Sequence, residues 1–194
     1  MDEFLSHVST LYTYPDESWR RRLAVCTDEA GDHSDAVYEP MRALFDWVSQ
    51  ITDHRLQEAY TSTFDLSPSC TLEVGWHLFG EDYNRGGFMA RLRDQYMEYE
   101  VEETIELPDH LTNVLPLLVR MEHDKSASLC NEIVLPSLAS MRDTLEKEAS
   151  PFEPLLAATI AELKDQFEIE QIRPIIKQDK SIPMEFMGKG MTRG

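Results

Sequence analysis

The residues able to do chemistry in this chain are few and poorly assembled for it. Cys70, Glu73 and His77 lie close together, and Glu73 and His77 are one helical turn apart, a spacing that lets both face one metal ion. A structural metal site wants four ligands, however, and no second cluster accompanies these three. The competing reading is a helix-surface pair worth a few tenths of a kcal/mol. Gly86-Gly87 and Gly188-Lys189-Gly190 lack the spacing and context of a phosphate-cradling loop. The repeated Glu-x-x-His pairs of a di-iron carboxylate bundle are missing. Cys130 has no neighbouring histidine in sequence to activate it and reads as a small buried hydrophobe. The sequence thus predicts no catalytic residue, no metal site and no bound cofactor: a binding protein and not an enzyme.

Charge narrows what it would bind. The chain of 194 residues carries a formal net charge of −18. Lys177 to Gly194 contributes a net +2, which leaves −20 on the residues before it. Such a body repels phosphate backbones, so no nucleic-acid partner is expected. A basic partner is drawn in, at a rate that falls with salt. Solubility, or adaptation to a salty cytoplasm, explains the same charge without any partner. Cys26, Cys70 and Cys130 are scattered and odd in number, as suits reduced thiols in a cytoplasm. Met1-Asp-Glu-Phe-Leu lacks the basic start and long apolar run of a secretory signal. No apolar stretch approaches the ~18 residues of a membrane span. A cytoplasmic protein without direct membrane insertion is expected.

The elements that must position any site are helical. Phe4, Leu5, Val8, Leu11 and Tyr12 trace one face before Pro15, and a second helix runs through Trp19, Leu23 and Cys26. Asp28 to Asp32 reads as a loop, and Ser34 as the cap of a helix with Val37, Met41, Leu44, Phe45 and Val48 at core spacing. A fourth helix follows Thr52 and breaks at Ser67-Pro68-Ser69. A helical stretch from Thr71 carries Trp76 and Phe79 to Gly80, and Asn84 to Gly87 leads into Phe88, Leu92 and Tyr96. Val101 to Glu106 is acidic and extended or looped, and Pro108 suits the first turn of the next helix. A long helix over Ser126 to Ala149 should kink at Pro136, since an interior proline costs ~3 kcal/mol. Phe152 to Phe167 is the clearest helix. The expectation is all-α: one bundle-like multi-helix domain over residues 1–176, with a flexible tail over 177–194.

Three motifs are too specific to be filler. They are Tyr60-x-x-x-Phe64-Asp65, His77-x-x-Gly80-Glu81-x-x-x-Arg85-Gly86 and Glu106-x-Pro108-Asp109-His110. With the helix-ending Tyr14-Pro15-Asp16, they give a sequence that resembles the TorD/NarJ family of redox-enzyme maturation chaperones, and most its nitrate-reductase-type branch. The resemblance covers roughly Phe4 to Phe167. It implies an all-helical fold of that type and a defined task. Such chaperones bind the N-terminal segment of the apo catalytic subunit of a molybdenum-containing oxidoreductase. They hold it until the molybdenum cofactor is inserted, ahead of membrane docking or export.

The candidate client-binding residues are Tyr60, Phe64, Trp76, His77, Phe79, Arg85, Asp109, His110, Leu111 and Leu115. Each also has a plainer reading. Tyr60 and Phe64 are spaced for a core face, and Asp109 would favour the positive end of its helix. Arg85 would serve a carboxylate. A client segment folded as an amphipathic helix is expected to lay its apolar face in a groove between helices. Two other functions fit the sequence: a structural subunit of an oxidoreductase complex, and a small metal-dependent enzyme built on Cys70, Glu73 and His77.

Overall fold

The structure, a computed structural model, describes residues 3–175. The expected tail over 177–194 lies outside them. Among the described residues there is no strand, only one isolated antiparallel bridge between Glu73 and His110. No helix among them is long and apolar enough to cross a membrane.

Helices α1 (Phe4–Ser9), α2 (Trp19–Ala30) and α3 (Asp35–Ser49) pack in sequence, α4 (Asp53–Tyr60) follows, and α10 (Glu153–Gln166) lies along α3. Helix α7 (Leu111–Arg120) covers α1, while α5 (Val74–Phe79) packs on α6 (Tyr83–Glu98) and on α9 (Leu135–Lys147). The apolar stripes read from the sequence face inward. Leu5, Leu11, Leu23, Met41 and Leu44 have no exposed surface.

An aromatic cluster centres on Phe152, just ahead of α10. The rings of Trp19, Trp47, Tyr60 and Phe64 lie with centroids 5.2–6.4 Å from it, mostly edge to face. Polar atoms in this region are matched. Tyr60 Oη donates to the Tyr12 carbonyl at 2.9 Å, Trp19 Nε1 to the Leu11 carbonyl at 3.2 Å, and the Tyr12 and Thr159 hydroxyls lie 2.7 Å apart. Burial without lost hydrogen bonds is the condition under which these large rings stabilise a core.

Several local expectations are corrected. Helix α2 runs on to Ala30, so the loop begins at Gly31. Ser34 precedes α3 as expected, but its hydroxyl donates to Asp165 Oδ2 at 2.8 Å, tying α3 to α10. Asn84 to Gly87 is helical, because Asp82 caps α6 by accepting from Asn84 N at 3.0 Å. Pro108 lies ahead of α7 and outside its first turn. The Asp109 carbonyl is taken by Val74 N at 2.8 Å, which leaves His110 extended and delays the helix to Leu111. The expected kink at Pro136 takes the form of a π-turn. Helix α8 (His123–Leu129) widens over Cys130–Val134 and continues as α9, with the proline in its first turn. The slipped register carries the chain past the carbonyl with which the proline ring would clash.

If Phe152 organises this half of the core, Phe152→Ala should cost about 3–5 kcal/mol. Thermal unfolding should then fall by roughly 10 °C in a domain of this size. A drop of a degree or two would show that the cluster is dispensable.

Candidate functional site

Asp109 is the point at which three helices meet. Its side chain is fully buried, and both oxygens are held by one guanidinium: Arg85 Nε donates to Oδ2 at 2.8 Å and Arg85 Nη2 to Oδ1 at 3.2 Å. This two-point geometry is the strong form of an arginine–carboxylate contact. Arg85 also lies over the Trp76 ring, 5.7 Å from its centroid. The backbone completes the joint. Val74 N donates to the Asp109 carbonyl, and Leu111 N donates to the Leu72 carbonyl at 3.0 Å. Gly75 permits the approach, since a Cβ there would stand 2.5 Å from Asp109 Oδ2 and 3.0 Å from Phe88 Cδ1.

His110, next in the chain, caps α7. Its Nδ1 accepts from Thr112 N at 3.2 Å and lies 2.8 Å from the Thr112 hydroxyl. An accepting Nδ1 requires the neutral ring. Burial lowers the His110 pKa, outweighing the pull of the Glu106 and Glu73 carboxylates. His77 is lowered in the same way, by burial first, with its Nε2 2.8 Å from the Thr71 carbonyl. That contact and the Thr71 hydroxyl bonded to the Glu73 carboxylate occupy two of the three suspected metal ligands. Among the described residues, no group of three or more ligating side chains is placed to hold a metal.

Around this joint lie two small recesses that share a wall. One, of about 300 Å³, is lined by Tyr14, Tyr60, Phe64 and His110, with Asp65, Glu73 and Glu106 among its acids. The other, of about 240 Å³, continues past Phe64, Asp65 and Glu73 to Trp76 and Arg85. Their walls are built by particular bonds. Asn113, buried in α7, accepts from Thr104 N at 2.7 Å and donates to the Leu107 carbonyl at 3.0 Å, which holds the loop carrying Glu106. Trp76 Nε1 donates to the Pro68 carbonyl at 3.1 Å and pins the loop after Phe64. Phe64 and Asp65 are presented by a π-turn, Thr61–Asp65, in which Leu66 N reaches back to the Thr61 carbonyl. The result is a cleft rimmed with carboxylates, to which Tyr14 and Trp76 show ring surface while Tyr60 and Phe64 back it almost wholly buried.

A larger depression, of about 1220 Å³, opens between Trp47, Arg55, Leu66 and Arg142. It contains none of the candidate residues. Only Tyr14 is common to it and the acidic cleft.

No protein-family model matches the chain. Among curated proteins, one from Bacillus subtilis (strain 168), named a probable nitrate reductase molybdenum cofactor assembly chaperone NarJ, is 28% identical over 164 residues. That alignment takes in 82% of this chain and 88% of the relative. The nitrate reductase molybdenum cofactor assembly chaperone NarJ of Escherichia coli (strain K12) is 26% identical over 149 residues, 75% of this chain and 63% of the relative. The chain is similar to NarJ proteins along three quarters or more of its length. The resemblance read from its motifs stands, and the all-α fold agrees with it.

The cleft gathers five of the ten candidate residues: Tyr60, Phe64, Trp76, Arg85 and His110. His77 and Phe79 line a neighbouring depression, which they share with Trp76. Asp109, Leu111 and Leu115 offer no surface, each being 0% exposed, so in this arrangement they build the cleft and do not line it. Neither recess alone is the groove expected to admit a helix. One helical turn, 5.4 Å long and 10–12 Å across, fills roughly 400–600 Å³, more than either recess holds. Each has room for single side chains. Tyr14, Asp65, Glu73 and Glu106 were not among the candidates, although Asp65 and Glu106 stand inside the motifs and Tyr14 in Tyr-Pro-Asp.

Two outcomes follow for the joint. Gly75→Ala, which crowds Asp109 and Phe88, should cost about 1–3 kcal/mol in chemical denaturation. A neutral result would mean that α5 and α7 shift apart freely. For the histidines, the unfolded chain binds a proton near the ordinary pKa of 6.5, whereas the folded ring resists it. Their contribution is therefore intact above about pH 6.5 and is lost as pH falls toward the lowered value. His110→Asn keeps a cap acceptor without a titrating ring, so it should stay folded and flatten the loss of stability between pH 7 and 5. An unchanged slope would remove His110 from that account.

Proposed function

We propose that the chain is an assembly chaperone for a nitrate-reductase-type molybdoenzyme and not a catalyst. It works in the cytoplasm, binding the N-terminal segment of the apo catalytic subunit and holding it until the molybdenum cofactor is in place, before membrane docking or export. The observation that carries this reading is the similarity to two NarJ proteins along three quarters or more of the chain. The acidic aromatic cleft supports it as the place of binding.

The chemistry of the cleft specifies what the segment must offer. Two apolar side chains inserted into the recesses are worth ~1.5–3 kcal/mol each. Association costs ~4–15 kcal/mol, so anchors alone bind weakly. Basic side chains beside Asp65, Glu73 and Glu106 supply the remainder and orient the segment. Micromolar affinity, about −8 kcal/mol, suits a partner that must later be released.

Calorimetry with a peptide of the nitrate reductase catalytic subunit's N-terminal segment tests this. The wild-type chain should bind it at micromolar concentration, more weakly as salt rises. Glu73→Gln combined with Glu106→Gln should weaken binding about 5- to 10-fold at low salt, because each lost rim charge pair is worth up to ~1 kcal/mol. Absence of binding at tens of micromolar, or an affinity indifferent to both salt and these substitutions, contradicts the reading.

A further inference from the structure

The recess at His110 shows mostly polar surface, because Tyr60 and Phe64 behind it are almost wholly buried. Asp65, Glu73 and Glu106 line it together, and all three act electrostatically on both the Tyr60 hydroxyl and the His110 ring. Among the described residues none of the three carboxylates is paired with a cation; Glu73 takes only the Thr71 hydroxyl. Arg85, in the adjoining recess, is spent on Asp109. The charge of the recess is therefore left for a ligand to meet.

A second observation sets the form of that ligand. His110 is 7% exposed, and both of its hydrogen bonds run through Nδ1, which accepts from Thr112 N. The ring proton must then sit on Nε2, which has no partner among the described residues. Nε2 is not one of the sealed, unpartnered polar atoms, so this donor opens onto the recess that His110 lines. The recess thus offers several charged acceptors and one buried donor. A lysine ammonium or an arginine guanidinium carries donors alone and would leave the Nε2–H unmet. The α-ammonium of a chain terminus is different, because the carbonyl oxygen of its own residue lies three bonds away and accepts. With a pKa of about 7.7–8.0 such an amine is charged at neutral pH. Size agrees: at roughly 110–170 Å³ per residue, about 300 Å³ holds the end of a chain and not a helical turn.

We infer that this recess captures the free α-amino terminus of the client segment. The ammonium sits among Asp65, Glu73 and Glu106, the carbonyl of the first residue accepts from His110 Nε2–H, and the first side chain lies against Tyr14. This inference rests on the cleft being the client site and adds what is read there: the beginning of a chain, in preference to an internal basic residue.

Calorimetry tests it with a synthetic peptide that starts at the first residue of the nitrate reductase catalytic subunit, prepared free and Nα-acetylated. Each form is titrated into the wild-type chain and into the Glu73→Gln, Glu106→Gln variant. Acetylation should weaken binding about 10-fold in the wild type, and by about 2-fold or less in the variant, where the charges it answers are gone. A free-terminus peptide with its lysines and arginines replaced by glutamine should keep its sensitivity to the two substitutions. Loss of that sensitivity would hand the recess to a side-chain cation and overturn the inference. An acetylation penalty that is absent, or equal in both proteins, overturns it too and leaves the client reading standing. Failure of every peptide to bind the wild type at tens of micromolar sinks both.

Discussion

A carboxylate with no access to water survives in this molecule because one guanidinium meets both of its oxygens. Asp109 and Arg85 are the constraint on which the site depends. Such a pair is a poor source of net stability, since removing both charges from water costs about what their attraction returns. Its importance lies in the penalty for taking it apart, because either partner alone would leave an uncompensated charge inside the protein. The pair therefore fixes where α6 stands relative to the start of α7. Through the Val74 and Leu72 backbone bonds it fixes the start of α5 as well. The cleft is what remains between elements locked in this way.

That origin explains the form of the cleft. Elements joined by a buried ion pair and a short backbone bridge leave narrow recesses and not an open trough, and the rim inherits whatever the flanking loops carry. Here the loops carry Asp65 and Glu106 on either side of Glu73. Under the proposed function, this acidic rim would meet a short, basic, partly apolar segment held through a few side chains. Recognition of that kind would be specific in sign and spacing yet modest in strength, as a transient helper requires. The larger depression near Trp47 and Arg142 has more room but mixes both charges at its edge, where Arg142 pairs with Glu153.

Much of this was legible in the sequence. Helical periodicity placed the core of α3, α7 and α10, because an apolar stripe at 3.6-residue spacing has one inward face to choose. The motifs supplied Phe64, Arg85 and His110 as candidates, and the structure sets them around two adjoining recesses. What periodicity could not show was the partner of each polar group. Asp109 in a motif looks like a contact for a ligand, and only three-dimensional placement reveals that Arg85, twenty-four residues earlier, consumes it. Leu111 and Leu115 follow the motif on the stripe of α7, and burial decided in favour of the stripe. Gly75 and Asn113 gave no signal at all. Their roles, a missing Cβ beneath a carboxylate and an amide that gathers a loop, depend on contacts that local pattern does not encode.

Hydrogen exchange on the full chain, with and without the N-terminal peptide of a nitrate reductase catalytic subunit, probes the central claim most directly. The peptide should slow exchange over residues 71–76 and 104–112, segments that wall the acidic cleft and are absent from the lining of the depression at Trp47 and Arg142. Protection confined to the surroundings of Trp47 and Arg142, with those two segments unchanged, would contradict the proposed site.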